Sequence, residues 1–214
     1  MKSISGIKSM VIFACMMIFS NIWAQKQADM GMFEGFSNIG QVKLMGTVVY
    51  DTSTETYSIS GGGMNVWGNF DQHSYLWKKV KGNFSLTTKV AFEGVGVNAH
   101  RKIGIMIRDA LTGESRCAHI SIHGDGLTSL QYRAVTDGIT AEIKGPPNGN
   151  YITLEKAGKM IRMRTATDTV PETVTAEIEM DFPGEFYVGL FVCSHEADVL
   201  ETAHFSKTVF KEIK

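Results

Sequence analysis

The run Phe84-Ser85-Leu86-Thr87-Thr88-Lys89-Val90-Ala91-Phe92-Glu93 alternates with a period of two. Phe84, Leu86, Thr88, Val90 and Phe92 fall on one side; Ser85, Thr87, Lys89, Ala91 and Glu93 fall on the other. That period belongs to a β-strand with one buried face. Downstream the pattern repeats. Ile103, Ile105 and Ile107 alternate with Gly104, Met106 and Arg108, and Ala118, Ile120 and Ile122 with Cys117, His119, Ser121 and His123. Leu130 and Tyr132 alternate with Ser129, Gln131 and Arg133. Similar runs occupy 47–50, 56–60, 139–143, 151–155, 159–164, 174–180, 186–193 and 205–213.

Turn residues separate these runs: Gly61-Gly62-Gly63, Gly94-Val95-Gly96, Gly124-Asp125-Gly126, Asp137-Gly138, Gly145-Pro146-Pro147 and Pro183-Gly184. No long stretch carries a helical stripe, although one helical turn is expected after Ser194. About a dozen short strands, each with one apolar face, predict an all-β fold: a jelly-roll sandwich of two antiparallel sheets.

Composition bounds the function. The chain has 214 residues, 43% hydrophobic and 20% charged, which suits one sizeable folded domain rather than a disordered chain. Lys and Arg number 21 against 22 Asp and Glu, which excludes a broadly basic nucleic-acid binder. Residues 1–24 have the layout of a secretory signal peptide: Lys2 and Lys8, an apolar run Met10 to Phe19, then Ser20-Asn21-Ile22-Trp23-Ala24. A membrane-spanning helix needs about 20 apolar residues, so no membrane span is expected. Cleavage after Ala24 would leave a single domain over 25–214, periplasmic or secreted. Phe13-Ala14 is a poor approach to a lipid-modified Cys15. In an oxidising compartment Cys117 and Cys193 could form a disulfide, while their apolar surroundings equally suit buried free thiols.

Two clusters carry candidate chemistry. Asn65, Trp67, Asp71, His73, Tyr75 and Trp77 lie close in sequence, and His73, Tyr75 and Trp77 share one face if 73–77 is a strand. Aromatic platforms beside hydrogen-bonding side chains suit sugars, which have an apolar face and a polar rim. The plainer reading is a contribution to the core. The second cluster is a polar row on consecutive strands: Arg108, then His119, Ser121 and His123, then Gln131 and Arg133, with Asp125 closing the hairpin. Arg108 and Arg133 lie opposite the apolar sides of their strands and are expected on an exposed binding face. The plainer reading here is a hydrophilic exterior.

Other chemistries fit poorly. His119 and His123 are four residues apart on a strand, about 13 Å, too far to share one zinc ion. No cofactor is implied; calcium would rest on Asp71 and Asp125 and on fold analogy alone. Glu177, Glu179 and Asp181 share a strand face, but a solvated face explains them better than a glycosidase pair.

Five separated motifs carry a family resemblance. They are Gly61–Gly68 with Asp71–Lys79, Gly82-Asn83-Phe84, Lys102–Arg108, His123–Arg133 and Tyr187–His195. Together they resemble an uncharacterised family of exported bacterial sandwich domains of the concanavalin A-like, laminin-G-like kind. Its relatives are often fused to TolB-like β-propeller repeats and labelled biopolymer-transport proteins. This chain has no propeller sequence, and the family offers no established catalytic residues. The resemblance implies a binding module for carbohydrate or glycan on a polar, concave sheet. The rivals are a glycan hydrolase of the same fold and a structural or interaction domain of the cell envelope.

Overall fold

The structure, a computed structural model, describes residues 29–213. The expected signal peptide over 1–24 and the expected start at Gln25 lie outside the described residues. Sixteen strands form, and no helix is assigned among the described residues. Seven make one sheet, in the order β1 (Gly35–Ile39), β6 (His73–Lys81), β15 (Glu185–Cys193), β8 (Lys102–Arg108), β9 (Cys117–His123), β10 (Thr128–Arg133) and β11 (Ala141–Lys144). The other seven-stranded sheet runs β14 (Val174–Glu179), β13 (Met160–Ala166), β12 (Tyr151–Ala157), β7 (Asn83–Phe92), β16 (Glu196–Ile213), β3 (Thr56–Gly63) and β2 (Thr47–Asp51). All the pairings within both sheets are antiparallel.

The alternation decides which side chains lie between the sheets. Phe84, Leu86 and Val90 of β7 meet Ile103, Ile105 and Ile107 of β8, Ile120 of β9, Leu130 of β10 and Leu190 of β15 in one buried core. Burying such side chains contributes about 1.5–3 kcal/mol each. The turn expected after Ser194 is not helical. His195 takes a left-handed φ of 62°, and β16 begins at once with Glu196.

β1 lies ahead of the first run read from the sequence, and two further strands were not legible as alternation either. β4 (Val66–Trp67) and β5 (Phe70–Asp71) form a small hairpin. Gly68 stands at the first position of its two-residue turn with a φ of 66°, which a primed hairpin turn requires. This hairpin covers part of the outer face of the first sheet, where Val66 joins a second buried cluster with Ile39, Tyr75, Met106, Cys117, Phe191 and Cys193.

Candidate functional site

The outer face of the first sheet divides into a sealed half and an open half. The sealed half is built around Asp71, whose side chain is almost fully buried. Arg133 grips it with both prongs of its guanidinium, Nη2 to Oδ1 at 2.7 Å and Nη1 to Oδ2 at 3.1 Å. Arg108 Nη2 lies 3.6 Å from Oδ2. Both arginines are wholly inaccessible to solvent. Two cations face one carboxylate, and main-chain carbonyls supply most of the remaining partners. Arg133 also donates to the Gly113 and Ser115 carbonyls, each at 3.0 Å, and to Gly68 O. Arg108 donates to the Ala110 and Thr112 carbonyls. These bonds tie the β4–β5 hairpin and the 109–116 loop down onto the sheet.

That geometry corrects the expectation for Arg108 and Arg133. Their strand face was read correctly: neither enters the layer between the sheets. Their exposure was not, because the hairpin and loops cover them. His73 is buried in the same cluster, with Nε2 3.3 Å from Arg108 Nη1. An arginine N–H only donates, so Nε2 accepts and Nδ1 carries the proton. Burial first, and the neighbouring Arg108 charge second, hold His73 well below the usual histidine range. Tyr75 is also buried and donates its hydroxyl to Met106 O at 2.9 Å. Trp77 packs edge-on against Tyr187 and donates Nε1–H to Ser37 Oγ.

The open half is a pocket of about 280 Å³. Its wall comes from Lys102 at the start of β8, His123 at the end of β9, Gln131 of β10 and Glu142 of β11. Asn65 and Trp67 close it from the hairpin side, and His100, Leu127 and His195 from the loops. Register explains the assembly. Lys102 pairs with His123 across β8–β9, and Gln131 pairs with Glu142 across β10–β11. Gln131 Nε2 donates to Glu142 Oε1 at 2.8 Å and lies 3.3 Å from His123 Nε2. Gln131 Nε2 also donates to Ser129 Oγ at 3.1 Å. Burial pushes the His123 pKa down to about 4, and it also lowers that of His195. The His100 ring lies 6.0 Å from that of His123 and 5.7 Å from that of His195, centre to centre. Trp67 is 41% exposed at the rim.

Of the residues suggested by sequence, Asn65, Trp67, His123 and Gln131 line this pocket. His119, paired with Gln131 across β9–β10, is buried and does not line it, with Nδ1 2.9 Å from Ser121 Oγ and Nε2 unpartnered. Asp125 sits in the β9–β10 turn, where Oδ1 accepts the Leu127 N–H, and it lines a neighbouring, more open hollow of about 440 Å³. Asp71, His73, Trp77, Arg108 and Arg133 lie elsewhere. Asp71 is near Cys117 at one end of β9 and Asp125 lies beyond His123 at the other, so these two carboxylates do not meet. The acidic row is exposed, with Glu177 paired to Arg162 and Asp181 3.8 Å from Lys159.

Lys102, Glu142, His100 and His195 were missed as pocket residues. Lys102 had a signal: it shares the phase of Met106 and Arg108 along β8. The histidines sit in loops, where alternation says nothing. Cys117 and Cys193 are buried free thiols, pushed up by desolvation to about 12 and about 11. They pair with residues Arg108 and Lys102, at opposite ends of β8. Six residues of strand separate those ends by roughly 20 Å, beyond the ~7 Å limit between Cα atoms for a disulfide.

No protein-family model and no curated protein sequence matches the chain, so its resemblances are carried by the fold. A functionally unknown protein from Saccharomyces cerevisiae aligns with a TM-score of 0.63 at 16% identity, over 84% of this chain and 96% of its own. The carbohydrate-binding module CBM66 from Bacillus subtilis aligns at 0.52 and 14% identity, over 85% of this chain and 98% of its own. A legume lectin-like domain from Entamoeba histolytica aligns at 0.50 and 12% identity, over 84% and 90%. The chain therefore has a concanavalin A-like β-sandwich fold.

Proposed function

We propose that the protein is an exported glycan-binding module, and that the pocket between Trp67, Lys102, His123, Gln131 and Glu142 holds one sugar unit. The observation that carries this reading is an exposed indole at the rim of a pocket into which Lys102, His123, Gln131 and Glu142 bring hydrogen-bonding groups. An indole face can stack on the apolar side of a pyranose while amide, imidazole and carboxylate groups meet its hydroxyls. The volume lies near the lower end of the ~300–1,000 Å³ common for small-molecule sites, which suits a terminal or single residue of a chain. A carbohydrate-binding module and a lectin-like domain among the structures of similar fold support the reading by analogy. Binding is favoured over hydrolysis because Glu142 is the one carboxylate among the lining residues, whereas hydrolysis commonly uses two.

A glycan array followed by titration tests this. The native chain should bind at least one glycan, and Trp67→Ala should weaken that binding without unfolding the domain. Absence of binding to any glycan, or binding indifferent to Trp67→Ala, would overturn it. Export is tested separately by N-terminal sequencing of the mature protein. A start at Gln25 supports it, and retention of residues 1–24 or lipid on Cys15 refutes it.

A further inference from the structure

Lys102 is 3% exposed, yet it lines the open pocket. Its ammonium donates to Asn65 Oδ1, a neutral acceptor. Among the described residues no carboxylate lies within 4.0 Å of it: it appears in none of the ion pairs. Residues 1–28 contain no Asp or Glu that could serve instead. The buried arginines contrast with it. Arg108 and Arg133 share Asp71, and Arg101 pairs with Glu201. Lys156, another buried lysine, donates to Gly158 O and lies over the Phe186 ring, 5.6 Å from its centre.

Removing a cation from water without a countercharge is costly. The rest of the pocket compensates only at a distance. Glu142, which accepts from Gln131, and Asp71 favour the charged ammonium through space, but neither forms an ion pair with it, and burial outweighs them. Lys102 thus lacks a close countercharge, and its hydrogen-bond acceptor is neutral. Burial lowers the Lys102 pKa, as expected for a cation lacking a close partner.

We propose that the pocket selects sugars bearing a carboxylate, the uronic acid units of an acidic polysaccharide, with that carboxylate seated on Lys102 and the ring against Trp67. This rests on the glycan-binding reading and narrows its ligand class. A neutral sugar would bury Lys102 further without a countercharge. A uronate would supply the missing ion pair, with charge-assisted hydrogen bonds.

Calorimetric titration with matched pairs tests it: glucuronate against glucose, galacturonate against galactose, mannuronate against mannose, and polygalacturonate against its carboxyl-reduced product. The acidic member of at least one pair should bind about 10- to 100-fold tighter, the worth of a charged hydrogen-bonding partner. Lys102→Met should erase that preference and Lys102→Arg should retain part of it. If Lys102→Met does not fold, the polymer and its carboxyl-reduced product on the native chain decide the matter. Equal binding of acidic and neutral members overturns the carboxylate assignment while leaving the glycan reading intact. So does a preference that survives in Lys102→Met, or acetate or dextran sulfate binding as tightly as the uronates. Failure of every sugar, acidic and neutral, overturns both.

Discussion

The two halves of one sheet face hold nearly the same kinds of side chain and use them oppositely. In the sealed half, Arg133 and Arg108 converge on Asp71, every prong of Arg133 is occupied, and the β4–β5 hairpin lies over them. In the open half, Lys102 has only an amide oxygen, and the largely buried wall faces a pocket. Charge on a sheet face therefore does not by itself mark a ligand site. What separates the halves is whether the chain supplies its own counterions and a cover. Where it does, the ions brace loops; where it does not, a ligand must complete the set.

The largest expected effect lies in the sealed half. Arg133→Ala leaves Asp71 facing the more distant Arg108 in a buried site and takes its donors from three loop carbonyls, of which Gly68 O and Gly113 O keep another, so it should destabilise by about 3–5 kcal/mol. Chemical denaturation measures this, and a change within about 0.5 kcal/mol, typical of surface sites, would erase the distinction between the halves.

Acid comes next. His73 and His119 are held well below 6.5, and His123 down to about 4, in each case chiefly by burial. The folded state then binds fewer protons than the unfolded chain below pH 6.5. Stability should be whole above about pH 6.5 and fall as the pH drops. The slope is up to about 1.4 kcal/mol per pH unit for each such histidine. For His123 the loss runs to about pH 4, and for the other two it continues lower. Melting curves from pH 7 to 4.5 check this; a flat profile down to pH 5 would mean the histidines are not held neutral.

Arg133→Lys keeps the charge but loses the planar fork. It should cost less than Arg133→Ala, about 1–3 kcal/mol, and equal losses for the two variants would assign the bracing to charge alone. The smallest effect on stability belongs to the open half. Trp67→Ala should change stability by about 0.5 kcal/mol or less. Its glycan affinity should nonetheless fall by about 2 kcal/mol, roughly 30-fold. A melting-point loss comparable to that of Arg133→Ala would make Trp67 part of the cover instead of the rim.

The sandwich was legible because alternation is a local property. Phe84, Leu86 and Val90, or Ile103, Ile105 and Ile107, announce a strand and its buried face without reference to anything distant. The same rule placed Arg108, His119, His123, Gln131 and Arg133 on one outer face. It could not say what lies over that face, because the cover comes from residues 66–71 and 109–116, which have no period to read. Nor could alternation find His100 and His195, brought to the pocket by loops, or Glu142, whose place follows from β11 pairing with β10. Sequence alone determined most of the sheet strands, their apolar sides and hence two stacked sheets, because side-chain direction in a strand is set residue by residue. Only the tertiary structure decided that Arg133 is a brace with its own counterion and Lys102 a buried cation without an ion-pair partner. Burial and counterion supply depend on which distant loop folds over each strand end, and that is a property of the whole chain's packing.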